Sequence, residues 1–217
     1  ASGGVYNDFY IHHIDHLSWM KNAWPINAQA VGGRHYKENT EGIEFVDQNF
    51  DSYAVEYTYE DGTKFYFDGR CMNGAYGNFS SYVHGTKGVA VAARAGDYGG
   101  PQAIHKGFNF TPESVTWQST DKSNPYQNEW DVLIQKILDN EPHNEVPSGV
   151  YASMTSSMGR MAAHTGQLIT LDQMLSHDHE FAPDVDKLSY SADAPLMPNE
   201  DGRYAIPQPG IVTGREY

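Results

Sequence analysis

One cysteine, Cys71, stands in a chain of 217 residues, so no intramolecular disulfide can form and no thiolate metal site can be built from this chain alone. With no base beside it in sequence, Cys71 reads as an ordinary strand residue. No apolar run approaches the ~20 residues that a bilayer span requires. Basic side chains are also scarce. Against 28 Asp and Glu there are 14 Lys and Arg, a formal net charge of −14, which repels nucleic acid and anionic membrane surfaces. A neutral, hydroxyl-rich small molecule read by hydrogen bonds suits such a surface better. A glycine-rich phosphate cradle is missing too, because Gly32-Gly33 and Gly99-Gly100-Pro101 lack the strand–turn–helix setting that dinucleotide binding needs. No internal repeat or low-complexity tract appears.

What the chain does have is aromatic content of 13%, with 15 tyrosines, and 39% hydrophobic residues, a profile of sheet-rich globular structure. Its length suits one large domain. Apolar residues Phe9, Ile11, Ile14, Leu17, Trp19 and Met20 predict one helix over 5–20, ended before Trp24-Pro25. A strand with a Gly32-Gly33 kink is expected over 26–36. Alternation of Tyr53, Val55, Tyr57 and Tyr59, the turn Glu60-Asp61-Gly62-Thr63 and a return over 64–70 make a hairpin. Short strands are predicted around Tyr82-Val83, over 89–93, 103–110 and 115–119.

After Asn124-Pro125 the period changes from 2 to 3.6. Trp130, Leu133, Ile134, Ile137 and Leu138 mark an amphipathic helix, a second helix covers 148–164 with Gly166 as its stop, and Thr170 caps a third over 171–176. Strands in one block and helices in the next give an α+β class with helices covering one sheet face. Residues 1–177 read as one α+β domain. The proline-bearing stretch 178–217 reads as an extended wrapping tail of that domain.

The chemistry-bearing residues concentrate at the start of the chain. Gly3-Gly4 precedes Asp8, His12, His13, Asp15 and His16, and the i, i+4 spacing of Asp8 and His12 stacks a carboxylate on an imidazole if the segment is one helix. Such a pair suits general acid–base work, since a carboxylate orients the ring and favours its protonated form. The same residues also read as a polar solvent face, or as a metal site using the HxxxH pair His12 and His16, although the HExxH order is absent. Asp172, His177, Asp178, His179 and Glu180 form a second polar cluster that reads as solvated surface. A sheet with helices on one face leaves its other face open, which points to self-association or a partner domain.

The order Gly3-Gly4-x-x-x-Asp8-x-x-x-His12-x-x-Asp15 resembles the start of the C-terminal domain of the Gfo/Idh/MocA oxidoreductases, the glucose–fructose oxidoreductase and inositol dehydrogenase family. Other segments agree with it: Asp61-Gly62, Gly85-Thr86-Lys87-Gly88, 124–130 (NPYQNEW) and 159–166 (GRMAAHTG), so the resemblance covers nearly the whole chain. It implies a large, mainly antiparallel mixed sheet with helices on one face, and an N-terminal Rossmann domain, outside this chain, that holds NAD or NADP. This chain alone is then expected to bind no cofactor. By the same resemblance His12 matches the catalytic acid–base and Asp8 the catalytic carboxylate that positions substrate and His12. Tyr10, His13 and Asp15 would line the substrate site, Tyr10 replacing a glycine that the motif usually carries.

The implied function is the substrate-binding half of an NAD(P)-dependent sugar or polyol dehydrogenase, a homo-oligomer through the open sheet face and inactive without the nucleotide domain. Two rivals remain: an NAD-dependent glycosidase of the same fold, and a noncatalytic dimerisation or binding module. The 2–25 segment with GGRHY and PQPG is similar to a subgroup of exported dehydrogenases, which implies a periplasmic location, a cytoplasmic one being the alternative.

Overall fold

A computed structural model describes residues 3–34, 38, 41–42, 48–94, 100–178, 180, 182 and 184–216. In chain order its elements are α1 (Gly4–Asp8), α2 (Ile11–Lys21), β1 (Asn27–Gly33), β2 (Ser52–Thr58), β3 (Lys64–Arg70), β4 (Ser80–His84), β5 (Gly88–Arg94), β6 (Ala103–Lys106), β7 (Val115–Gln118), α3 (Pro125–Leu138), α4 (Val146–Thr165), β8 (Ile169–Thr170) and α5 (Leu171–Ser176). The α+β class and the antiparallel pairing follow the sequence pattern. The strands fall into two ladders of four, ordered β3-β2-β1-β8 and β4-β5-β6-β7. Between the ladders the chain leaves β3 in a turn, where the Ala75 amide donates to Met72 O and Gly74 takes φ +77°.

Two compact units result, one from residues 1–75 with 150–217 and one from 76–149. In the first unit the expected alternation of β2 is realised, and Tyr53, Val55, Tyr57 and the following Tyr59 are buried while their neighbours are half-exposed. Helix residues meet these rings. Tyr6 of α1 lies 4.6 Å from the Tyr53 ring and 5.2 Å from Phe67 of β3, centroid to centroid. Helix α4 buries small residues, Ala152, Ser156, Gly159, Ala162 and Ala163, between larger ones, Met158, Arg160, Met161 and His164.

Helix ends follow the local chemistry. Asn124 Oδ1 accepts the Tyr126 amide ahead of α3, with Pro125 at the first turn, and Thr170 and Gln173 form a reciprocal capping box on α5. Gly166 stops α4 in the left-handed region at φ +70°. The strand expected over 26–36 ends at Gly33, and His35 and Tyr36 lie outside the described residues. The strand expected over 103–110 stops at Lys106, since Gly107 turns at φ +74°.

In the second unit α3 has no buried residue, and Trp130, Ile134, Ile137 and Leu138 of its apolar stripe are exposed. Across the β4–β7 ladder, Val83, Ala90, Ile104 and Trp117 stand opposite one another in a row. Of these Val83, Ile104 and Trp117 are exposed. In the first unit the stretch after α5 forms only a short 3-10 turn, Val185–Lys187, among its described residues, and meets the rest of that unit where Gln48 Nε2 donates to Ala205 O and the Gly210 amide to Thr165 O. No helix among the described residues is long and apolar enough to cross a membrane.

Candidate functional site

The single helix expected over 5–20 is two helices. At the break Phe9 takes φ −121°, and the Phe9 and Tyr10 amides both donate to Val5 O, an i→i+4 and an i→i+5 bond on one carbonyl. Burial of Tyr10 accompanies the interruption. Its ring turns inward, 5.0 Å from Phe67 and edge-on to Tyr6 at 6.1 Å. Asp8 is therefore the last residue of α1 and His12 sits in the first turn of α2, so a simple i, i+4 stack is replaced by a bend between them.

The bend is anchored from three sides. Gly4 occupies φ +66°, and a Cβ there would lie 2.7 Å from Asn49 Oδ1, which makes glycine a requirement on both counts. Asn7 Nδ2 donates to Ser157 Oγ at 2.9 Å, tying α1 to α4. Tyr57 donates its hydroxyl to Thr155 O at 3.0 Å, leaving its oxygen to accept from Tyr6 at 2.7 Å. Burial raises both phenols well above the usual tyrosine range, so the pair is neutral. Helix α2 is fixed in turn by the Ser18–Tyr59 hydroxyl contact and by a Lys21–Asp61 ion pair. Its hydrogen bond from Lys21 holds the Asp61 carboxyl below the normal carboxylate range.

On this scaffold the named residues divide by face. Asp8, Phe9, His12, Asp15 and Trp19 are exposed, and the last three follow the 3.6-residue period along α2. Phe9 stands edge-on to the His12 ring at 6.0 Å. Tyr10 and His13 are buried, His13 edge-on to His16 at 5.3 Å. Burial pushes the Tyr10 phenol up to about 12, so it remains protonated. The exposed face of α2 therefore carries one imidazole, one carboxylate and one indole, with the Phe9 ring beside His12, and Asp8 is exposed at the end of α1. Among the described residues no three His, Cys, Asp or Glu side chains gather as a metal site would need. In the second cluster His179 lies outside the described residues. A cavity of about 500 Å³ lies in the second unit, lined by residues such as Lys87, His105, Lys106 and Thr116, and includes none of the N-terminal residues.

One group of residues went unread in the sequence. Tyr53 OH lies 3.0 Å from His164 Nε2, His164 Nδ1 lies 2.9 Å from Glu216 Oε2, and Arg160 Nη2 lies 2.8 Å from the same oxygen. All four residues are buried. The i, i+4 spacing of Arg160 and His164 on α4 was the available signal.

No family model and no curated protein matches the chain. Solved structures do. The aldose–aldose oxidoreductase of Caulobacter crescentus, solved with glycerol, is 15% identical at a TM-score of 0.55, over 74% of this chain and 45% of its own. An oxidoreductase domain protein from Kribbella flavida gives 16% and 0.59, over 79% and 51%. The fold is that of a Gfo/Idh/MocA-type oxidoreductase C-terminal domain. An Agrobacterium radiobacter oxidoreductase solved with NAD+, L-tartaric acid and magnesium gives 13% and 0.51, over 77% and 49%. The chain spans about half the length of these structures.

Proposed function

We propose that this chain is the substrate-binding and catalytic half of an NAD(P)-dependent sugar or polyol dehydrogenase. The observation that carries the proposal is the exposed Asp8–His12 face, held at a fixed bend by Gly4, Asn7 and the Tyr6–Tyr57 pair, in a fold shared with oxidoreductases. The named strand pairs are all antiparallel, so the described residues build no parallel βαβ cradle for a dinucleotide. A nicotinamide would be held by a domain outside this chain, and when bound it supplies the hydride acceptor.

His12 takes the proton from the substrate hydroxyl, for which imidazole is suited near neutral pH. Asp8 accepts a hydrogen bond from a neighbouring hydroxyl of the substrate. Asp15 extends hydrogen-bonding capacity along α2, and Tyr10 and His13 support the bend from the buried side. Phe9 and Trp19 offer flat apolar surface for the C–H face of a ring. An aldose substrate in one structural neighbour and the chain's negative charge support an uncharged sugar or polyol.

The test uses the protein in which this chain is joined to its nucleotide-binding domain, assayed with NAD and NADP against a panel of sugars and polyols. His12→Ala should lower kcat by at least a hundredfold, in line with the usual contribution of a general base. Equal turnover in the wild type and the variant would remove the acid–base role. We also propose that the row Val83, Ile104 and Trp117 meets a second copy, so Ile104→Glu should shift the protein toward monomer in sedimentation.

A further inference from the structure

We propose that the substrate of the Asp8–His12 site carries at least two linked, uncharged sugar rings, and that Trp19 stacks on the ring next to the one that reacts, which rests on His12 being the acid–base. Trp19 is 78% exposed, more than any other tryptophan of the chain. Trp117 and Trp130 are 53% and 57% exposed, and Trp24 is half-buried and stacks on Tyr151 at 5.9 Å. An indole is seldom left so bare, because burying its large apolar body is favourable wherever the fold allows it. Its place on α2 gives it a use. His12 and Trp19 belong to the same helix, Ile11–Lys21. Helix geometry puts them about 10 Å apart along the axis and within about 20° of each other round it. Asp15 is exposed between them, and Phe9 stands edge-on to His12 at 6.0 Å.

One hexose ring held at His12 falls short of the indole, whereas a second ring linked to the first reaches it. The stripe offers an aromatic face at each end and a carboxylate acceptor between them, which suits rings that have apolar C–H faces and hydroxyl donors round their edges. It does not suit the other extended sugar derivatives, those that carry phosphate. Apart from its histidines α2 has one cationic side chain, Lys21, and that is held in an ion pair with Asp61. A pyrophosphate laid along this helix would meet Asp15 and, at one end, Asp8, in a chain whose net charge is −14. The charge of the stripe therefore selects a neutral glycan over a nucleotide sugar of the same length.

Kinetics of the protein joined to its nucleotide-binding domain test this, with each hexose compared against its 1,4-linked disaccharide: glucose with cellobiose and maltose, mannose with mannobiose. In the wild type the disaccharide should have a kcat/KM about tenfold higher than its hexose, expressed in KM, as one aromatic stacking contact supplies. Trp19→Ala should bring that ratio close to one, and Trp19→Phe, which keeps an aromatic face, should hold it in between. Disaccharides no better than their hexoses in the wild type, or a ratio unchanged in Trp19→Ala, overturn the inference and leave the dehydrogenase reading standing. Equal turnover in the wild type and His12→Ala overturns that reading, and the inference with it. A higher kcat/KM for UDP-glucose than for every neutral disaccharide overturns the inference as well. If no sugar turns over, binding decides: tryptophan fluorescence titrated with glucose and with cellobiose should show about tenfold tighter binding of cellobiose in the wild type and no such preference in Trp19→Ala. Equal binding of the two sugars by the wild type overturns it.

Discussion

Gly159 sets the distance between α4 and the sheet, and enlarging it by one methyl group should be costly. A Cβ at this position would stand 2.0 Å from the Tyr57 hydroxyl, 2.7 Å from its ring carbon Cζ and 2.7 Å from the Tyr6 hydroxyl. Neither phenol can swing away cheaply. Tyr57 is wholly buried, stacks on Phe65 at 5.4 Å and donates to Thr155 O, and Tyr6 is wholly buried against Tyr53 and Phe67. Overpacking of this kind costs about 1–3 kcal/mol, and each buried hydrogen bond broken adds ~1 kcal/mol. Replacing glycine by alanine inside a helix recovers about 1 kcal/mol of intrinsic propensity, which is smaller than the sum of the other two terms. Gly159→Ala should therefore destabilise by about 2–3 kcal/mol, a fall in melting temperature of roughly 5–10 °C for a chain of this size. Urea unfolding followed by circular dichroism measures it. The decisive comparison is Gly159→Ala combined with Tyr57→Phe, which removes the clashing oxygen and should unfold at higher urea than Gly159→Ala alone. Additive losses, or a Gly159→Ala variant as stable as wild type, would refute the close approach.

Gly4→Ala should cost about 2 kcal/mol, from a positive φ that alone accounts for ~1–2, and should reduce the activity of the joined protein through the displaced bend. Thr170→Ala removes one half of the α5 capping box and should lower stability by about 1 kcal/mol. His164 has its proton affinity lowered by burial, so below its unfolded value of about 6.5 the unfolded chain binds the extra proton first. Stability should thus fall as pH drops from 7 through 6.5 toward the lower folded value, and urea midpoints at pH 7.5 and 5.5 should differ less in His164→Gln.

Sequence pattern revealed what depends on neighbours. The β2 alternation, the Thr170 cap and the Gly166 stop are decided within a few residues of themselves, and each is found where the pattern puts it. The break after Asp8 was hidden because Phe9, Ile11 and Ile14 continue an apolar period. What interrupts the helix is Tyr10 reaching Phe67, a contact across 57 positions that no local window contains. The buried Glu216 cluster was hidden likewise. Arg160 and His164 share one helix turn, but Glu216 comes from a stretch without any period. At the candidate site residue identity was legible and facing was not, since the exposure of Asp8, His12 and Asp15 against the burial of Tyr10 and His13 is settled only by packing.

The phenols packed between helix and sheet give the molecule a built-in optical gauge of its own integrity. Burial raises the pH at which Tyr6, Tyr53, Tyr57 and Tyr59 ionise, while an unfolded tyrosine loses its proton near pH 10. Above that pH the open chain releases protons that the closed one retains, so alkali drives opening, and each increment of opening adds phenolate absorbance. An absorbance titration that turns steep and cooperative above pH 10 would read the disassembly of this layer directly.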